Sequence, residues 1–437
     1  MRKRHQQLAQ EHLGPARAVA PGSKVLPGLA SSWAATQAAW RFYHNPHVSR
    51  PQLAQPLLEA ARQGLEASDR WALVVHDWSC LNYSGHRHKT QRMALNGSAG
   101  RGYELASALV LDDRSGIPIA PVYLRLITAA GAYQSTQVQG PDRVESHLDA
   151  LHGTFAFLAR QSWSKPTVHL LDAEGDSVAH LRQWQAAGWV FLVRTDPNRQ
   201  ARWEDREQTL GAIAKTLKRR GAFHAVREVE FHGHRAYQQV AATTVTLVRP
   251  GHANRRAGRG RRKKRPRIRG PALELRLIVA DVRDASGKLL ARWLLLTNLP
   301  PRVSASRIAL WYYWRWGIES YYKLLKSAGQ ELEHWLQKTP EALFQRLLVA
   351  SMACVMVWQL ARAPGPSARA LRRVLGELSG RRSKPGTAPR EPALLAGLWT
   401  LLALDAALHR HGRRKLLRLA RSVLSETLGQ LIPMDFV

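Results

Sequence analysis

Three carboxylates far apart in the chain, Asp77, Asp172 and Glu319, stand where a fold could make them meet. Asp77 ends the apolar run VVHD and Asp172 ends VHLLD. Both runs read as strands, so the sheet itself would hold each side chain. Glu319 lies in 309–331, ALWYYWRWGIESYYKLLKSAGQE, which has no proline and a single glycine, Gly317, and reads as one long helix. On such a helix, at about 100° per residue, Tyr312, Arg315, Glu319 and Lys326 fall within a stripe of about 60°. The apolar face, with Trp311, Ile318, Tyr322 and Leu325, borders it. A carboxylate flanked by two cations and a phenol at the edge of a core is placed to hold a metal beside groups that grip phosphate. Three carboxylates on rigid elements suit paired Mg2+ ions, which take oxygen ligands. Two such ions serve an in-line phosphoryl displacement.

Other polar residues have plainer readings. Glu174 and Asp176 rival Asp172, although Asp176 also suits capping the helix expected from Ser177. Asp112 and Asp113 fall in a hairpin turn. His76, His86 and His88 have no matching cysteine pair and read as polar loop residues or DNA contacts rather than zinc ligands. The two cysteines, Cys80 and Cys354, exclude a disulfide framework and point to a reducing cytosol.

The chain has 437 residues, with 65 Lys+Arg against 32 Asp+Glu, a formal charge of +33. At 45% hydrophobic it is globular in composition rather than disordered. So high a charge opposes compaction unless an anionic partner is in view. Nucleic acid is the first candidate and an anionic membrane surface the second. The longest apolar runs, 347–360 and 392–404, fall short of the roughly 18–20 residues that span a bilayer and read as buried helices. The start, MRKRHQQLAQEH, has no apolar stretch of the secretory kind. No G-x4-G-K-[ST] loop is present, which argues against a nucleotide triphosphatase.

The elements that must position these residues fall in five segments. Residues 1–68 are basic and helical in pattern, with helices expected over 32–42 (capped by Ser31 or Ser32) and 51–67. Residues 69–199 read as three strands (71–78, 103–111, 118–128), a helix within 144–163, a strand at 167–171, a helix at 177–187 and a strand at 189–194. That order suits a mixed sheet with helices on its faces. Residues 200–297 are β-rich, with strands expected at 222–231, 238–248, 273–280 and 289–296. They carry a block, 255–269, in which 10 of 15 residues are Lys or Arg; it cannot pack in a core and reads as a solvated loop. Residues 298–365 hold the long helix, and 366–437 are helical, with 347–360 or 392–404 as possible dimer-interface helices.

The spacing Tyr312-x2-Arg315-x3-Glu319-x6-Lys326 resembles the Y-R-E-K signature of bacterial insertion-sequence DDE transposases of the IS-four group. Three more segments resemble that group in order: Arg41-Phe42-Tyr43-His44-Asn45-Pro46, Asp172-Ala173-Glu174-Gly175-Asp176 followed by Val193-Arg194, and Trp293-Leu294-Leu295-Leu296-Thr297. The resemblance runs from about residue 33 to 365. It implies an α/β fold: a ribonuclease-H-like mixed-sheet core interrupted by a β-rich insertion, with helical N- and C-terminal regions. It implies that Asp77, Asp172 and Glu319 bind two Mg2+ ions, Mn2+ being able to substitute. It implies cut-and-paste transposition through a DNA hairpin, on double-stranded DNA (element ends and target), by a homodimer in the bacterial cytoplasm, with no membrane role. Under this reading Arg315, Lys326, Tyr312 and, more weakly, Arg194 contact phosphates near the scissile bond. Trp293, with Trp316 second, offers a stacking surface for an extruded base. Arg261, Arg262, Lys263 and Lys264 bind the backbone without regard to sequence. Two rivals share the core: a structure-specific nuclease, and an inactive DNA-binding repressor.

Overall fold

The computed structural model describes His5 and residues 33–95, 99–252, 267–327, 329–381 and 387–418. The expected caps Ser31 and Ser32, and Arg261, Arg262, Lys263 and Lys264 with most of the basic block, lie outside the described residues. The chain forms two compact units: Arg50–Ser84 with Gln91–Tyr322, and Met1–Ser49 with Gly85–Thr90 and Lys323–Val437.

The first unit is mixed α/β. Its strands are β1 (Ala72–Asn82), β2 (Met93–Ala94), β3 (Arg101–Asp112), β4 (Pro118–Thr128), β5 (Gly131–Gln134), β6 (Thr167–Leu171), β7 (Val190–Arg194), β8 (Gln200–Trp203) and β9 (Arg206–Thr209). They continue with β10 (His224–Phe231), β11 (His234–Leu247), β12 (Gly251–His252), β13 (Arg267–Ile268), β14 (Leu273–Arg283) and β15 (Leu289–Thr297). Among the described residues, 13 of them form one sheet in the order β5-β4-β3-β1-β6-β7-β15-β14-β11-β8-β9, with β2 beside β3 and β10 beside β11. β1 runs parallel to β6, and β6 to β7; β3 is antiparallel to both β1 and β4. The strands of 200–297 thus extend the same sheet, β15 pairing antiparallel with β7.

The inner strands are apolar without alternation because both faces are covered; β4 is buried throughout. Over one face, helices α3 (His147–Ala159), α4 (Val178–Ala186) and α5 (Leu210–Arg219) pack Phe155, Trp184 and Ile213 against Phe191, Val193 and Leu277. Ser146 starts α3 by accepting the Asp149 N–H. Asp113 does more than turn the β3–β4 hairpin. Buried, its carboxylate accepts the N–H groups of Asp69, Arg70 and Trp71 at 2.7, 3.0 and 3.0 Å and so fixes the start of β1. His76 is also not a loop residue: it is buried in β1 and hydrogen-bonded to His169 at 3.0 Å. Burial drops its pKa to about 3, so it is a neutral core histidine.

The helix expected over 309–331 is two helices, α6 (Ala305–Trp314) and α7 (Gly317–Lys326). At the join the N–H groups of Ile318 and Glu319 reach back only three residues, to Arg315 and Trp316, a 3-10 tightening. Gly317, a poor helix former, sits at the break, where a Cβ would touch the Leu111 side chain at 3.4 Å.

The second unit, among its described residues, is helical: α1 (Trp33–Tyr43), α8 (Pro340–Arg362), α9 (Pro366–Leu378) and α10 (Glu391–His411). (Helix α2, Arg50–Glu66, belongs to the first unit.) Helices α8 and α10 are long and apolar enough to cross a membrane by length and composition, with 78% and 22% of their apolar stretches buried. The expectation of a buried helix therefore fits α8 but fails for α10. One face of α10 crosses α9 so closely that a Cβ on Gly397 would meet the Leu375 backbone, while Leu402, Leu404 and Leu408 stay exposed.

Candidate active site

The fold brings the three carboxylates to one buried arginine. Asp77 lies within β1, five residues before its end, because the strand runs on to Asn82. Asp172 follows the last residue of β6, the next strand over, and Glu319 lies in the first turn of α7. Arg315, at the join of α6 and α7, is 4% exposed. Its guanidinium stands 3.3 Å from Asp172, 3.6 Å from Asp77 and 3.9 Å from Glu319. Its Nε and Nη1 are buried with no hydrogen-bond partner among the described residues.

Each carboxylate is differently held. One Asp77 oxygen accepts the Trp78 N–H at 2.8 Å; the other has only the long contact to Arg315. Burial raises the Asp77 pKa to about 6, more than the Trp78 hydrogen bond and Arg315 lower it. Asp172 is crowded: its Oδ1 accepts from Ala173 N–H at 2.6 Å and from the Tyr312 hydroxyl at 3.3 Å, and pairs with Arg194 at 2.7 Å. Glu319 is the open one, with its side chain 62% exposed. For Arg315, burial opposes the charge, but Tyr312, Asp172, Asp77 and Glu319 together hold the pKa above its ordinary value. Burial also raises Tyr312, which is 1% exposed.

Tyr312, Arg315 and Arg194 thus all meet carboxylates here, and Arg194 alone of the three is also open to solvent. Lys326 falls in the second unit, where it pairs with Glu333 at 3.3 Å. Trp293 is 5% exposed and packs on Tyr312, Tyr313 and Trp316. A ring so enclosed offers no open face for a base, whereas Trp316, at the edge of that cluster beside Phe231 and His232, is only half-buried. Of the rivals to Asp172, Asp176 is a structural acceptor for Thr195, Asp196 and Arg199.

The spacing argument missed a second polar group beside Asp77. His147, at the start of α3, bridges Glu104 at 2.5 Å and Glu174 at 3.2 Å and stacks on Trp78. Burial pulls its pKa down, but the hydrogen bonds it donates to the two glutamates, with their negative charge, outweigh that and raise it to about 9. The Tyr322 hydroxyl donates to the Asp77 carbonyl at 2.7 Å. Glu104 was visible as a lone acid inside the apolar strand YELASALVL. Nothing in sequence paired it with His147.

The donor set, three carboxylates and no sulfur or imidazole, suits a hard divalent cation, and Asp77 and Glu319 each have an oxygen without a hydrogen bond to commit. As they stand, no three acidic, histidine or cysteine side chains among the described residues gather closely enough to hold one ion. Arg315 supplies the counter-charge between them.

No protein-family model and no curated protein matches the chain. Among solved structures it is similar to the cryo-EM structure of a piggyBac transposase synaptic complex with hairpin DNA, at 11% identity and a TM-score of 0.36. That similarity covers 84% of this chain, and the chain spans only 59% of that one. A likeness so loose fixes neither fold nor activity.

Proposed function

We propose that the chain is a DDE transposase of the IS-four kind, with a ribonuclease-H-like core, acting on double-stranded DNA. The observation that carries this is the meeting of Asp77, Asp172 and Glu319, drawn from two parallel strands and a helix, around a single arginine. The run β4-β3-β1-β6-β7, with β3 alone reversed, supports the ribonuclease-H-like reading, and the charge of +33 supports a polyanionic substrate.

When bound, two Mg2+ ions would polarise the attacking oxygen and stabilise the leaving one. The chain's own part is positioning. Asp77 is fixed by its strand and the Trp78 N–H, and Asp172 by Ala173, Tyr312 and Arg194. Glu319 reaches in from the solvent side. Arg315 offsets part of the carboxylate charge before substrate arrives and is within reach of a phosphate placed among them. One such centre serves each phosphoryl displacement of cut-and-paste: nicking, hairpin formation and opening, and joining. Pairing two ends calls for a dimer. Trp316, at the rim, is better placed than Trp293 to stack an extruded base.

The test uses a plasmid carrying the gene with its natural flanks, incubated with wild type or Glu319→Ala, with and without Mg2+. Metal-dependent excision at paired ends, with hairpin or joined products, lost in Glu319→Ala, is the expected result. Cutting without joining would make the protein a nuclease. Binding with no cutting in any flank tested would overturn the enzymatic reading.

A further inference from the structure

One buried arginine in the first unit has no anion to meet. Arg125 lies in β4, opposite Ala106 of β3 and Gln134 of β5. It is 3% exposed, and its Nε is buried without a hydrogen-bond partner. Its Nη2 reaches only the Arg143 carbonyl, at 3.4 Å, the weak limit of such a bond. No carboxylate pairs with it among the described residues. A buried guanidinium left in this state is costly.

Arg125 lines two cavities. The outer one, about 340 Å³, is floored by Arg125 and walled by Tyr123, Gln134, Thr136 and Ala150, with Arg160 and the exposed Glu145 also lining it. The inner one, about 20 Å³, is also lined by Ala106, Ala108, Asp77 and His147 and has room for about one water. On the wall, Gln134 is already engaged. Gln134 takes the Tyr123 hydroxyl on its oxygen, and its amide donates to Asp142 at 2.9 Å. The small side chains Ala106, Ala108 and Ala150, together with Gly153, keep the space open.

We propose that the outer cavity is a phosphate subsite. It receives a phosphate next to the scissile one on the same nucleic-acid strand, held by Arg125 and Arg160, both of which line the cavity. The strand assignment rests on the function proposed above; the anion site does not. A phosphate would give Arg125 the charge-assisted hydrogen bonds it lacks.

Wild type, Arg125→Gln and Ala150→Leu (which fills the cavity and leaves the arginine) are compared at constant ionic strength. Inorganic phosphate is expected to raise the wild-type melting temperature by several degrees over chloride and to leave both variants unshifted. An eight-nucleotide single-stranded DNA is expected to bind each variant about tenfold more weakly than wild type, while its neutral methylphosphonate form binds all three alike. Equal phosphate shifts in wild type and Ala150→Leu, or no shift in wild type, overturn the subsite. A shift that depends on both residues, with unchanged oligonucleotide affinity, overturns the strand assignment in favour of free phosphate. Should Arg125→Gln fail to fold, Ala150→Leu decides alone. Absent plasmid cleavage would count against the proposed function without moving these shifts.

Discussion

The same sheet holds two clusters of arginine and aspartate, and they are built to opposite tolerances. In β14, Asp281 is fully buried and meets Arg292, its cross-strand neighbour on β15, at 2.6 and 2.7 Å, and Arg283 at 2.8 Å. Both carboxylate oxygens are saturated by short bonds. At Arg315 the shortest contact is 3.3 Å, the others 3.6 and 3.9 Å, and two guanidinium nitrogens have no partner. Three carboxylates share two arginines there, Arg315 and Arg194, and the hydrogen bonding of Arg315 is incomplete among the described residues. The first cluster has no vacancy for a ligand and serves the β14–β15 hairpin. The second spends stability on contacts that a phosphate or a cation could improve, which is how a binding centre differs from a structural ion pair.

Two substitutions set the clusters apart most sharply. Glu319→Ala removes an exposed carboxylate from the loose cluster and is expected to lower DNA cleavage by a factor on the order of 10³ or more while leaving the urea midpoint unchanged. Asp281→Ala is expected to do the reverse. It strands two arginines, and chemical denaturation should show a loss of about 3–5 kcal/mol. A large stability loss in Glu319→Ala, or none in Asp281→Ala, would erase the distinction.

The sequence made the loose cluster legible and the tight one invisible. Asp77, Asp172 and Glu319 announced themselves by position, two after apolar strand runs and one on a polar stripe. Wheel geometry nonetheless assumed an unbroken helix. Propensity alone placed no break at Arg315–Trp316, because the cause is tertiary: an arginine drawn inward, and a glycine packed against β3. Asp281 sits in LIVADVR as an acid in an apolar strand, the same signal as Glu104. In both cases the partner comes from another element, Arg292 across a hairpin and His147 from the start of helix α3. Arg125 looked like an ordinary alternation in VYLRLI; only the fold shows that both faces of β4 are covered.

Titration probes the same contrast with smaller effects. Burial raises the folded Asp77 pKa from 3.8 to about 6, so the folded state holds the proton more tightly than the unfolded one. Stability is then greatest below about pH 4 and is lost as the pH rises through 6. Asp77→Asn is expected to flatten that slope and to be more stable than wild type at pH 8 by about 1–3 kcal/mol, as read from urea midpoints. His147 runs the same way in another window. Its pKa rises from 6.5 to about 9, so its ion pairs stabilise fully below about pH 6.5 and stop doing so as the pH passes 9. His147→Gln is expected to remove an alkaline decline of about 1–3 kcal/mol. An unchanged decline in that variant would place the titrating group elsewhere.

The smallest expected effect belongs to the shortest ion pair at the loose cluster. Arg194 meets Asp172 at 2.7 Å, but the two side chains are 39% and 29% exposed. Water competes for both, so Arg194→Gln is expected to cost less than about 1 kcal/mol. The pair at Asp281 is only 0.1 Å shorter, at 2.6 Å, yet its aspartate is 1% exposed and should cost several times more to break. Distance is nearly the same in the two pairs and dehydration is not. If Arg194→Gln proved as damaging as Asp281→Ala in parallel urea titrations, the Asp172 corner would be structural too, and the loose cluster would shrink to Asp77, Glu319 and the arginine between them.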